Sequence, residues 1–130
     1  MQELDEIARS LWHHLPRGAV LWLTGPLGAG KTTLVQGLAR AAGAEPARSP
    51  SFALVHEYAT PDGPLIHADC YRLRDPEEAL DLDFPGLSRL ARLLVIEWPE
   101  RAGRHAPPAD AHVELAHVDR ADRRRLTRIV

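Results

Sequence analysis

Ala19-Val-Leu-Trp-Leu-Thr-Gly-Pro-Leu-Gly-Ala-Gly-Lys-Thr-Thr33 decides the fold. Ala19 to Thr24 is apolar at nearly every position, which predicts a strand buried on both faces rather than an edge. Gly25 to Gly30 reads as a turn, and Lys31 to Ala42 as a helix closed by Gly43 in the left-handed region. Within this strand–turn–helix, Gly25 to Thr32 fits G-x-x-x-x-G-K-[ST], in the context the pattern requires. Glycines let the loop curl so that backbone N–H groups point inward at phosphate oxygens, and the helix adds its positive N-terminal end. Lys31 is then placed to reach the β- and γ-phosphates, with the Thr32 hydroxyl on Mg2+. Lys31 is also the only lysine of the chain; every other fixed cation is an arginine.

Working outward, Leu4, Ile7, Ala8, Leu11, Trp12 and Leu15 recur at helical spacing and predict an amphipathic helix over 3–15. Arg48 to Ser51 reads as a loop and Phe52 to Tyr58 as a strand. A turn at Pro61 to Pro64 then leads into a strand over Leu65 to Leu73, so the two strands form a hairpin. Asp75-Pro-Glu-Glu78 has the order of a helix start: N-cap, first-turn proline, N3 glutamate. That helix runs to Leu82, with a further helical turn over Ser88 to Arg92. Leu93 to Glu97 is an apolar strand ending in an acid, and Pro107-Pro108 marks a loop. His112 to Val118 and Arg124 to Val130 read as two final strands, antiparallel at a sheet edge. Buried strands alternating with helices give an α/β class, a mixed β-sheet flanked by helices, in a single domain over 1–130.

A phosphate-binding loop needs an acid at the end of a neighbouring strand to complete a metal site, and Glu97 has that position. In the strand before it, the two-residue period puts His67, Asp69 and Tyr71 on one face. Asp69 is the second acid, suited to ordering the attacking water or a metal-bound water; the plainer reading makes it a cap or the partner of Arg72 or Arg74. Ser49-Pro50-Ser51 lies where a loop senses the γ-phosphate, or is an ordinary loop before a strand. Trp98 faces away from Glu97 in an extended chain, consistent with packing behind the site or with a partner contact, packing being the preferred reading. Cys70 and His67 are an odd number of positions apart and face opposite ways, so a thiol–imidazole nucleophile pair is set aside. No ligand-spaced cluster predicts structural zinc.

Composition narrows the classes. At 130 residues, 45% hydrophobic and 26% charged, the chain has one domain's worth of ordinary globular sequence. One cysteine permits no internal disulfide, and no segment approaches the roughly 20 apolar residues of a membrane span. The acidic N-terminus has no export-signal pattern. A cytoplasmic protein without membrane association is expected. The net charge of -2 excludes a generic polyanion binder, although five Arg and one Asp between Arg120 and Val130 make that tail net +4. The tail either touches nucleic acid or nucleotide, or is a solvated face.

Other nucleotide-handling classes fit poorly. Asp83-Phe-Pro-Gly86 matches the D-x-x-G of GTPases, but the guanine-reading N-K-x-D element needs an Asn and the chain has none. A transporter ATPase needs its own signature and about twice the length. A small-molecule kinase needs an arginine-bearing lid, for which there is no long insertion; it stays open as an alternative, as does a nucleotide-gated binding module with incidental hydrolysis.

Four ordered motifs resemble one family. G-x-L-G-A-G-K-T-T (Gly25 to Thr33), S-P-[ST]-F-x-L-V (Ser49 to Val55), H-x-D-x-Y-R-L (His67 to Leu73) and E-W-P (Glu97 to Pro99) look like the bacterial TsaE family. The likeness runs over about 4–128, with Ser51 where the family often has Thr. It implies a P-loop NTPase-like fold and an ATPase of tRNA threonylcarbamoyladenosine biosynthesis, working with TsaD and TsaB and reaching tRNA through that complex. It also implies that Thr32 and Glu97 bind Mg2+ and that Asp69 takes part in hydrolysis. The 49–52 segment is then switch-like. The site so assembled has Lys31, Asp69 and Glu97 as catalytic groups. Nucleotide contacts come from Gly25, Leu27, Gly28, Ala29, Gly30, Lys31, Thr32 and Thr33. No arginine finger is evident in cis, so slow hydrolysis alone and faster hydrolysis with partners are expected.

Overall fold

Six strands form one sheet in the order β2-β3-β4-β1-β5-β6 in the computed structural model, which describes residues 2–26, 30–45, 53–117 and 125–129. The middle four, β3 (Leu65–Asp69), β4 (Leu93–Glu97), β1 (Ala19–Thr24) and β5 (Ala111–His117), are mutually parallel. β2 (Val55–Tyr58) and β6 (Arg125–Ile129) pair antiparallel at the two edges, so the sheet is mixed and the hairpin reading of β2 and β3 holds. β1 and β4, the strands with the most continuous apolar sequence, take the centre, as burial on both faces requires.

Alternation along the strands splits the core in two. Leu21 and Leu23, Val95, Leu65 and Val113 pack under α1 (Gln2–His14) and α2 (Lys31–Ala42). Val20, Ile66 and Ala68, Leu94 and Ile96 face the other way, onto Phe84, Ala79 and Ala102. Gly43 ends α2 at φ 69°, its N–H satisfying the carbonyls of Ala39 and Arg40. The second layer is thinner, built from a 3-10 helix (Pro76–Leu82), α3 (Phe84–Leu90) and a 3-10 segment over Pro99–His105. Asp75 caps the first of these in a full capping box with Glu78, as the sequence predicts, although the helix it starts is 3-10 rather than α.

Several boundaries differ from the sequence reading. β3 stops at Asp69 instead of Leu73, because the Cys70 N–H makes the last bond to β4, at Glu97 O. The Tyr71 N–H then bonds to Asp69 Oδ1, and Leu73 N–H closes a turn on Cys70 O. Tyr71 is therefore off the strand and does not share its face with His67 and Asp69. β2 starts at Val55, after a bend at Leu54 whose carbonyl accepts from Asp69 N–H; Phe52 is outside the described residues. The helical turn expected at 88–92 is the end of α3, which begins at Phe84. Asp83 accepts from the Gly86 N–H there, so the D-x-x-G match is a helix cap. The Pro99–His105 segment carries no helical periodicity, so its sequence does not announce it. Among the described residues no helix is long and apolar enough to cross a membrane.

Candidate functional site

Parallel strands present their C-terminal ends to one edge of the sheet, the usual place for a ligand crevice in an α/β fold. β1 ends there in Thr24 and runs into the glycine turn; β3 ends in Asp69 and β4 in Glu97. Register makes the convergence specific, since Glu97 lies beside Leu23 on one side and Asp69 on the other. Gly25 has φ 138° and backs onto β5, where a Cβ would collide with the Leu115 carbonyl; only glycine satisfies both conditions. Gly30 is left-handed at the N-cap of α2, and its carbonyl accepts the Leu34 N–H at 2.9 Å.

Lys31 opens α2 with 5% of its surface exposed, its ammonium donating to Gly25 O and lying 4.0 Å from the centroid of the Trp98 ring. Burial pulls its pKa below the ordinary lysine value; the negative fields of Glu97, Asp69 and Glu100 oppose this without cancelling it. Lysine and both acids thus act on one another in one small volume. Glu97 is also 5% exposed and is held at Oε2 by His67 Nε2, 2.5 Å away. Asp69 is half-buried, with Oδ1 accepting the Tyr71 N–H at 3.0 Å. Thr32 is exposed on the first turn of α2 and Thr33 half-buried.

Trp98 departs from its predicted place. Its backbone is left-handed (φ 56°, ψ 50°), a conformation that costs a non-glycine residue roughly 1–2 kcal/mol. The turn this makes swings the indole over Lys31 while its other contacts reach the second core layer. Tyr71 packs on it with ring centroids 5.0 Å apart, and the Arg101 guanidinium lies 5.0 Å from Tyr71 and 5.8 Å from Trp98. Strain held beside the buried Lys31 is the kind found at working sites.

The structure therefore brings together Gly25, Lys31, Asp69 and Glu97, with Gly30 and Thr32 flanking Lys31 in sequence at the start of α2. Leu27, Gly28 and Ala29, and the Ser49, Pro50 and Ser51 loop, lie outside the described residues. Arg120, Arg123 and Arg124 do so too, and of the basic tail only the backbone of β6 is described. The residue that the sequence reading left without a role is His67. Its alternation with Asp69 was visible, but its meeting with Glu97 depends on β3 and β4 being parallel neighbours.

Over residues 1–126 the chain matches the family described as Threonylcarbamoyl adenosine biosynthesis protein TsaE. The chain belongs to the TsaE family. A relative from Nostoc sp., tRNA threonylcarbamoyladenosine biosynthesis protein TsaE, is 41% identical over 114 residues, covering 84% of this chain and 69% of the relative. The protein of the same name from Aquifex aeolicus is 37% identical over 126 residues, covering 95% and 86%. In three dimensions the fold is similar to the crystal structure of Bacillus subtilis YdiB, with TM-score 0.75 and 29% identity, over 99% of this chain and 79% of that one. Every motif that carries the TsaE resemblance falls within the matched span.

Proposed function

We propose that this chain is a Mg2+-dependent ATPase of tRNA threonylcarbamoyladenosine modification, a single cytoplasmic domain over 1–130 that acts with TsaD and TsaB and meets tRNA through that complex. One observation carries the reading: the lysine of the glycine turn and two strand-end carboxylates share one edge of the sheet, in a TsaE-family chain.

The donor set fits Mg2+, which takes hard oxygens and is commonly held by one or two carboxylates beside substrate phosphates. Thr32 and Glu97 would hold it, and it would neutralise charge on the phosphate oxygens. Lys31 binds the β- and γ-phosphates once it leaves Gly25 O and the Trp98 face. Backbone amides over 27–33 and the N-terminus of α2 add fixed positive ends. Asp69 orients the attacking water for in-line displacement at the γ-phosphorus, releasing ADP and phosphate. The Ser49 to Ser51 segment responds to the γ-phosphate. ATP resets the partner complex and does not enter the modified base.

Equilibrium binding tests the reading. Wild-type protein should bind ATP and ADP more tightly with Mg2+ than in EDTA, and Lys31→Ala should weaken binding at least about tenfold, the loss of a charge-assisted phosphate contact. Equal affinities for wild type and Lys31→Ala would overturn it.

A further inference from the structure

We propose that His67 is a positioning residue: it fixes the direction in which Glu97 presents its carboxylate to the nucleotide site. This rests on the reading of Glu97 as a Mg2+-holding group. His67 Nε2 lies 2.5 Å from Glu97 Oε2, and both side chains are buried. A carboxylate only accepts, so Nε2 carries the hydrogen and donates it. With Oε2 held, rotation of the carboxyl about its last bond is stopped and the direction of Oε1 is set. The imidazole is itself restrained. His56 is its register partner on β2, and the two rings stack at 6.2 Å with an interplanar angle of 27°. A line of three side chains, His56, His67 and Glu97, thus crosses β2, β3 and β4 and ends at the site.

A merely structural pair would neutralise the cost of burying Glu97 and do nothing more. Positioning predicts something further, because groups that orient a metal ligand typically alter affinity or activity by about 10–100-fold when removed. The probe is a fluorescent ATP analogue titrated with Mg2+ on the full chain, with thermal unfolding as the check on folding. His67→Leu should raise the Mg2+ midpoint about 10–100-fold and leave analogue binding in EDTA unchanged. His67→Gln, whose amide N–H reaches the place of Nε2, should recover most of that shift. His67→Asn is shorter, cannot reach Glu97, and should behave like the leucine variant, so the test survives if His67→Leu fails to fold. In a Glu97→Gln background, removing His67 should move the midpoint little further. An unchanged midpoint in both His67→Leu and His67→Asn overturns the role, as does the same shift with Glu97 already replaced. A wild-type protein with no Mg2+ dependence overturns the reading of Glu97 and this role together.

Discussion

Lys31, the proposed phosphate-binding lysine, sits where binding and stability conflict. Its pKa is lowered by burial, so the charged form is disfavoured in the folded chain. Below the folded pKa the native state carries that penalty in full, and it fades as pH rises towards the unfolded value near 10.5. Lys31→Met keeps the length of the side chain without the charge. It should raise Tm at pH 7, by a margin that narrows as pH approaches 10, while phosphate binding is lost; a lower Tm at pH 7 would contradict this. Cys70 is the converse, a group with no part in the chemistry. Burial first, then Asp69 and Glu100, push its thiol up to about 12, and it is fully buried on the face away from His67. Iodoacetamide at pH 8 should label it at least roughly 100-fold more slowly in the folded protein than in urea. Because only the unfolded thiol ionises between about 9 and 12, its contribution makes the fold less stable as pH rises through that window.

At the scale of elements, what could be read in the sequence is what local chemistry determines. Leu93–Glu97 and Lys31–Ala42 match their predicted bounds because each is a continuous pattern ended by its own signal, an acid at a strand end and Gly43. β3 was overextended because Cys70 to Leu73 keep strand-like residues while Asp69 and Glu97 take the backbone bonds that turn the chain. Trp98 was misplaced for a related reason: its left-handed backbone is set by the turn into Pro99, which alternation does not encode. Asp83 illustrates a short motif with two meanings. Its side chain caps α3, and its own φ is 52°. Asp83→Ala removes the cap and places alanine in the left-handed region, so urea unfolding should show a loss of about 1–2 kcal/mol. Nucleotide affinity should not change; weakened Mg2+-dependent binding of the triphosphate would reinstate the D-x-x-G reading. Gly25→Ala should do the opposite kind of damage, since a Cβ there meets β5 at Leu115 and displaces the start of the phosphate loop.

For the whole molecule, the order β2-β3-β4-β1-β5-β6 explains why the site could be named from sequence but not assembled from it. Lys31, Asp69 and Glu97 each carried a local signal. That β4 lies between β1 and β3, and so delivers Glu97 to both the glycine turn and Asp69, is a property of the fold. The same order brings His67 to Glu97 and Thr24 Oγ1 to within 2.8 Å of His112 Nε2, contacts that no single segment announces.

Hydrolysis of ATP coupled to the modification complex is what the proposed function requires. Its most direct test is free phosphate release from ATP and from GTP with Mg2+, by the protein alone and with TsaD–TsaB and unmodified tRNA. Release should be slow from ATP alone, little from GTP, and at least about tenfold faster when the partners supply or order the missing charge. Equal rates with and without partners would contradict it, and so would phosphate that appears only on an added metabolite.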